Sequence, residues 1–319
     1  MKERAITGIQ PSGRLHLGNY FGSIKQIIEL QDDFPGECFC FIADYHAMTT
    51  IKDGKLLKEY TKNLIIDLLA LGIDPTKTII YKQSDVKEVC ELMWILSNVT
   101  NKGLLERNHT NKEKIDKTVG LFLYPELMAA DILGVGASLV PVGKDQLQHI
   151  EIVQNIASSF NVIFCETFII PKAKVNSFQL LPGIDGRKMS KSYNNIIPLF
   201  CDDIELDKKI ASIKTSSTPK GKSIIAKQEI IYQLYSCLAS KKDVIKMEED
   251  FINGILGYFE AKQILKNKIK EYFAPFKEKR KELLLDGDYV NGVTELCGKR
   301  VRDEFKITLE KVYKAVGLK

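Results

Sequence analysis

Apolar and polar positions along the chain alternate between two periods. Short apolar, β-rich runs occur at Arg4–Ile9, Cys38–Asp44, Thr78–Gln83 and Ala137–Gly143, each about the length of a buried strand. Between the second and third, the apolar residues fall at helical spacing. Leu56, Leu57, Tyr60, Leu64, Leu68 and Leu71 form one stripe, Gly72 stands where a C-cap is expected, and Asp74-Pro75 blocks continuation. Strand–helix alternation predicts crossover units and a parallel sheet, whose strands are buried on both faces and read as unbroken apolar runs. Beyond about Tyr193 the strand signal ends. Asp202-Asp203 opens a helical pattern, and Thr215–Ser223 is a polar loop. A final helix is predicted from Val293, Leu296, Cys297, Val301, Phe305, Leu309, Val312 and Val316, spaced by three and four. The expected organisation is an α/β parallel-sheet domain over 1–192 and a smaller all-helical domain over 193–319.

Composition narrows the class. The chain has 319 residues, 45% hydrophobic and 27% charged, which suits a folded globular protein of one or two domains. The longest apolar runs, Cys38–Ala43 and Ala137–Val142, are too short to span a bilayer. Met1-Lys2-Glu3-Arg4 lacks the apolar core of a secretion signal. Seven cysteines form no CxxC pair and no Cys/His cluster with zinc spacing. Free thiols, a cytoplasmic location and no metal site are expected. Charge is uneven: residues 1–192 carry 22 basic and 22 acidic side chains, and residues 193–319 carry 24 and 19, so the second part holds the whole net charge of +5. Such a surface suits an anionic polymer, and equally a solvated, lysine-rich helical exterior.

Two segments carry chemistry. In Thr7-Gly8-Ile9-Gln10-Pro11-Ser12-Gly13-Arg14-Leu15-His16-Leu17-Gly18-Asn19-Tyr20 a strand ends, a Pro/Gly turn follows, and a helix begins near Gly18. The carboxyl end of the first strand of a parallel sheet, feeding a helix N-terminus, is where such folds bind phosphates. Gly8, Gly13 and Gly18 would let backbone approach a nucleotide, although the spacing is not that of a dinucleotide site. The second segment, Gly183-Ile184-Asp185-Gly186-Arg187-Lys188-Met189-Ser190-Lys191-Ser192, places two lysines and two serines in a glycine-flanked loop. Lysines supply point charges for phosphates, and such a loop can stabilise charge developing on pyrophosphate. A glycine turn and a basic surface loop are the plain alternatives.

Together the segments resemble the signature pair of class I aminoacyl-tRNA synthetases. His16-Leu17-Gly18-Asn19 is similar to the HIGH element, and Lys188–Ser192 matches KMSKS in full. A third segment, Tyr124-Pro125-Glu126-Leu127-Met128-Ala129-Ala130-Asp131, reads as a short helix with Pro125 near its start. Pro141-Val142-Gly143-Lys144-Asp145-Gln146 follows as a strand end opening a helix. With these, the chain resembles the tryptophanyl-tRNA synthetases along essentially its whole length.

The resemblance implies a Rossmann-like catalytic domain and a helical C-terminal domain that binds the tRNA anticodon. It implies activation of L-tryptophan by ATP with Mg2+ held by the nucleotide, and transfer of the tryptophanyl group to tRNA(Trp). It also implies a homodimer with an interface near 85–135, and no membrane partner. Gln10, Pro11, Ser12, Gly18 and Asn19 would contact ATP, and Gly143, Lys144 and Asp145 would lie against the ribose or amino acid. Leu181 would pack near adenine, and Lys188, Met189, Ser190, Lys191 and Ser192 would hold the pyrophosphate half, with Lys188, Lys191 and Gln10 taking the catalytic roles. Asp131 would accept the indole N–H, a donor-only group, helped by Met128, Tyr124 and His46, with Gln146 reaching the substrate amine. An acceptor left unpaired by phenylalanine discriminates strongly without editing.

Some positions depart from the family pattern. Asn19 replaces the second histidine of the general motif, as is common in tryptophanyl enzymes. Ile6 stands where an aromatic residue is frequent, and Lys144 where an acidic one is. Three rival readings remain: a tyrosyl-tRNA synthetase, a small-molecule adenylyltransferase, and an inactive tryptophan-sensing or RNA-binding paralogue. His149 reads as structural and Trp94 as core or interface.

Overall fold

The computed structural model describes residues 3–109, 118–143, 146–175 and 181–319. The chain forms two compact units, neither of them contiguous: Met1–Gly13, Ile27–Ser177 and Leu283–Lys319 make one, and Arg14–Gln26 with Phe178–Glu282 the other. The division expected at 192 falls inside the second of these units. The last helix carries apolar residues that belong to the sheet's core, so its sequence neighbours are not its packing neighbours.

The first unit holds a parallel sheet of β1 (Arg4–Ile9), β2 (Glu37–Ile42), β3 (Thr78–Lys82), β4 (Leu139–Val142) and β5 (Lys172–Val175), in the order β3-β2-β1-β4-β5. Register runs Ala5 opposite Cys38 and Leu139, and Cys38 opposite Thr78. The four expected strands are present. β5 carried no apolar signal because it is an edge strand, Lys-Ala-Lys-Val, with three of its four residues exposed.

The helices follow in chain order. They are α1 (Leu17–Asn19), α2 (Lys25–Asp33), α3 (Asp44–Ala47), α4 (Gly54–Leu71), α5 (Glu88–Ser97), α6 (Lys102–His109), α7 (Val119–Gly134), α8 (Leu147–Ile163), α9 (Asp203–Ala211), α10 (Ile230–Ser236), α11 (Lys241–Ile252), α12 (Tyr258–Leu285) and α13 (Gly287–Val316). Between α1 and α2, Tyr20–Ile24 forms a π-helical turn, a local widening common at functional sites. α4 begins at Asp53, whose carboxylate caps Lys55 and Leu56, and ends at Gly72 with φ 114°, as its sequence predicts.

α7 corrects the reading of a short helix with proline near its start. It begins at Thr118, whose hydroxyl accepts the Leu121 N–H, and Pro125 lies inside it. The proline removes one hydrogen bond of the helical ladder.

The core joins Ile6, Phe39 and Tyr81 of the strands to Val301, Phe305 and Leu309 of α13. α13 buries Val290, Thr294, Cys297, Gly298, Val301, Phe305, Leu309 and Val312. Leu296 is instead 73% exposed, and Trp94 on α5 is 72% exposed and not core. The second unit has its own core, in which Tyr20, Phe21, Tyr272, Phe273 and Phe276 form an aromatic cluster with ring centroids 4.9 to 6.2 Å apart. Among the described residues no helix is long and apolar enough to cross a membrane.

Candidate functional site

In the sheet unit the candidate residues collect at the carboxyl ends of the strands, the position that parallel sheets favour for ligands. β1 delivers Gln10, β2 delivers Asp44 and His46, β3 delivers Gln83, and β4 delivers Gly143. α7 brings Asp131, which is 1% exposed. Its carboxylate accepts the His46 Nε2 proton at 3.0 Å and the Gln83 side-chain amide at 2.9 Å on Oδ1 and 2.8 Å on Oδ2. A carboxylate is acceptor-only, so the Nε2-protonated tautomer of His46 is the one this geometry requires. Burial pushes the Asp131 carboxyl up, and the bonds from His46 and Gln83 work against that shift. Around it, Met128 is half-buried against the core, and the His46 and Tyr124 rings meet edge-on, centroids 6.4 Å apart.

Sequence reasoning missed three partners here. Gln83 is 1% exposed and holds Asp131 from below. Asp44 accepts the Ser84 N–H at 3.0 Å and the Ser84 hydroxyl at 2.5 Å, which fixes the start of α3 and so the placement of His46. His149, read as structural, links two candidates: Nε2 lies 2.5 Å from the Tyr124 hydroxyl and Nδ1 2.6 Å from Gln146 Oε1. The Gln83-Ser84 pair follows a strand end, the one signal that would have drawn attention to it. Gln10 reaches the His46 carbonyl at 3.4 Å, and Ser12 donates its N–H to the Gln10 carbonyl at 2.9 Å, forming the turn at Pro11. Gly13 has φ 99° and needs to be glycine. At Gly8 the visible constraint is packing, since an added Cβ would lie 2.4 Å from the Phe41 ring.

The second unit holds the two signature segments against each other. His16 is extended, with φ −134° and ψ 168°, and caps α1; its N–H bonds Asn19 Oδ1 at 3.2 Å. The Leu17 N–H donates to the Ile197 carbonyl at 3.1 Å, which anchors the turn. The Gly18 N–H donates to Met189 Sδ at 3.3 Å.

The 183–195 loop is a folded object. Met189 donates its N–H to the Leu181 carbonyl at 3.0 Å, and Gly183 to the Arg187 carbonyl at 2.7 Å. Asn195, 1% exposed, staples it. Its amide donates to Asp185 Oδ1 at 2.7 Å and to the Lys188 carbonyl at 3.1 Å, and its Oδ1 accepts the Ser190 N–H at 2.7 Å. The Asn195 bond, followed by Arg187, draws the Asp185 carboxyl down to about 2.

Burial lowers the Lys191 ammonium to about 8. It also lowers His16 to about 4, with the Lys191 charge adding to the effect. His16 is therefore neutral near pH 7. Lys188 and Ser192 are exposed, while Met189 and Leu181 are buried. Lys144 and Asp145 lie outside the described residues. Among the described residues no group of three His, Cys, Asp or Glu side chains is placed to hold a metal ion.

The arrangement can recognise a donor-bearing ring by a buried carboxylate, and an anion by a lysine loop set beside a helix start. A family model described as "tRNA synthetases class I (W and Y)" matches residues 2–274. The chain is 44% identical over 321 residues to the tryptophan–tRNA ligase of Rhodopirellula baltica, covering 99% of this chain and 100% of that protein. It is 45% identical over 327 residues to that of Fusobacterium nucleatum, covering 99% and 98%. The tryptophanyl-tRNA synthetase of Campylobacter jejuni, solved as a complex with ADP and tryptophan, superposes with a TM-score of 0.92 at 40% identity, over 98% of this chain and 99% of that one.

Proposed function

Because the chain belongs to the class I tRNA synthetases of the tryptophan and tyrosine family, we propose that it is the tryptophan-specific ligase, joining L-tryptophan to tRNA(Trp) at the expense of ATP. One observation carries the choice of amino acid: a fully buried, acceptor-only carboxylate, Asp131, at the strand ends. Leaving its remaining acceptor position, on Oδ1, unfilled is costly, so a ring lacking N–H is disfavoured.

In the first step the tryptophan carboxylate attacks the α-phosphorus of ATP and pyrophosphate leaves. The carboxylate is already ionised at neutral pH, so no general base is needed. Catalysis then rests on positioning and on charge stabilisation by Lys188 and Lys191, with Gln10 and the Gly18 backbone placing the nucleotide. Gln10, Pro11, Ser12, Gly18, Asn19, Gly143 and Leu181 serve ATP, together with the 188–192 loop. Asp131, Met128, Tyr124, His46 and Gln146 serve tryptophan. Mg2+ comes with the nucleotide's own phosphates. In the second step the terminal adenosine hydroxyl of the tRNA attacks the mixed anhydride. The lysine-rich 193–282 stretch is the part suited to the anticodon arm. A homodimer built through the 85–135 region would cover Trp94 and Val119, each 72% exposed. The thiols and composition suit the cytoplasm.

Amino-acid-dependent ATP–pyrophosphate exchange tests the reading, run with all twenty amino acids separately. Exchange with tryptophan alone is expected. Exchange with tyrosine would move the pocket assignment, and none with any amino acid would sink the ligase reading.

A further inference from the structure

We infer that Gln83 is the positioning residue for tryptophan specificity, acting through Asp131 by holding the plane in which its open oxygen meets the indole N–H. The inference deepens the proposed function and rests on it. The argument starts from lone pairs. Each carboxylate oxygen accepts about two hydrogen bonds in its plane. Asp131 Oδ2 already takes two, from Gln83 at 2.8 Å and from His46 at 3.0 Å. Oδ1 takes one, from Gln83 at 2.9 Å. The vacant acceptor position is therefore on Oδ1.

Gln83, whose amide donates to both oxygens, holds the plane in which His46 adds the second bond to Oδ2. It is in turn anchored from its other end, where Oε1 accepts the His46 backbone N–H at 3.4 Å. One side chain thus ties together the two residues that face the ring. An aspartate carboxyl otherwise turns easily about its terminal torsion, and a carboxylate turned out of this plane would not present Oδ1 to the indole.

The same bond bears on charge. The groups acting on the Asp131 carboxylate are His46 from α3, Gln83 from the turn after β3, Tyr81 from β3, Asp44 from the β2 end and Cys90 from α5. Only His46 and Gln83 favour its ionised form by hydrogen bonding. Removing Gln83 leaves burial less opposed, so the carboxyl protonates at higher pH and ceases to be a pure acceptor.

Gln83→Leu keeps volume and removes the donor. In pyrophosphate exchange the KM for tryptophan is expected to rise about 10- to 100-fold, the cost of a hydrogen bond to a charged group. The KM for ATP should stay within about twofold, and the acid limb of kcat/KM for tryptophan should move to higher pH. 3-Benzothienylalanine, an isostere of tryptophan with sulfur in place of N–H, supplies the decisive comparison. Its KM should not change in the variant, because it never uses Oδ1. A rise for both substrates alike, or for neither, overturns the inference.

Gln83→Glu is the second variant, should the leucine protein fold poorly. Its carboxyl can donate to Asp131 only when protonated, so its tryptophan KM should climb steeply between pH 6 and pH 8.5 while the wild-type value does not. A flat profile overturns the inference too. Wild-type exchange with tryptophan is the control for the ligase reading, whose failure shows there before any variant is measured.

Discussion

The sulfur of Met189 accepts the backbone N–H of Gly18 at 3.3 Å, so the lysine loop is fastened to the helix start by one of its own side chains. Sulfur is a weak acceptor, so the contact holds more by packing than by the hydrogen bond. An added Cβ at Gly18 would lie 3.1 Å from His16 Nδ1 and 3.3 Å from Met189 Cβ. Gly18→Ala should therefore push the two segments apart and raise the KM for ATP about tenfold, whereas Met189→Leu, which keeps the bulk and loses only the acceptor, should change it less than about threefold. Steady-state exchange kinetics on both variants check the contrast.

Lys191 gives the reaction a pH dependence whose sign is fixed. Burial lowers its ammonium to about 8, so in the free protein it is charged below that pH and neutral above it. The kcat/KM for ATP, which reports the free enzyme, is expected to fall as pH rises through about 8. Lys191→Arg should shift that limb beyond the measurable range. Lys191→Ala should lose about 10²- to 10³-fold in kcat with little change in tryptophan affinity. Near-normal turnover would remove the loop from catalysis.

Asp131→Asn retains size and offers an amide where an acceptor is needed. Tryptophan should bind about 100-fold more weakly, and the preference for tryptophan over phenylalanine should shrink, since the charged acceptor that favours the indole N–H is replaced by a neutral amide. Measuring both amino acids side by side in exchange separates lost recognition from lost stability.

Glu126 is a buried acid next to Pro125 in α7, 2% exposed, and burial raises its carboxyl to about 6. Its folded value exceeds its unfolded one, so the native state holds the proton more tightly and stability declines as pH rises from about 4.5 to 6. Glu126→Gln keeps the shape without the charge and should gain about 1–2 kcal/mol at pH 8 and nothing near pH 4. Urea midpoints at the two pH values decide it.

Gly134 closes α7 beneath the last helix. An added Cβ would lie 2.1 Å from the Phe305 ring, and its carbonyl accepts the Thr308 hydroxyl at 2.8 Å. Gly134→Ala should cost about 1–3 kcal/mol through overpacking, seen as a lower denaturation midpoint with unchanged KM values in the surviving native protein.

Much of the sheet was legible because parallel strands are buried on both faces and leave unmistakable apolar runs; β2, with five of its six residues buried, is the clearest case. β5 was invisible for the opposite reason. The signature lysines and Asp131 were legible from residue type and order. Their supports were not: Gln83, Ser84, His149 and Asn195 are ordinary polar residues whose importance lies in a distant partner, and Asn195 reaches Asp185 and Lys188 only because the loop folds back. That the last helix joins the sheet's core escaped because periodicity describes a helix's own faces and says nothing of which core receives them. Thus α13 read as an amphipathic packing helix, while the sheet it packs on lies some two hundred residues earlier.

That long return has a consequence for synthesis. A ribosome delivers β1 to β4 first, then about a hundred residues of another unit, and only afterwards the helix that supplies Val301, Phe305 and Leu309 to the sheet's core. Domains that are contiguous can close as they emerge. Here the sheet's core lacks Val301, Phe305 and Leu309 until the last helix is made, so its apolar residues stay incompletely covered while the intervening unit is synthesised.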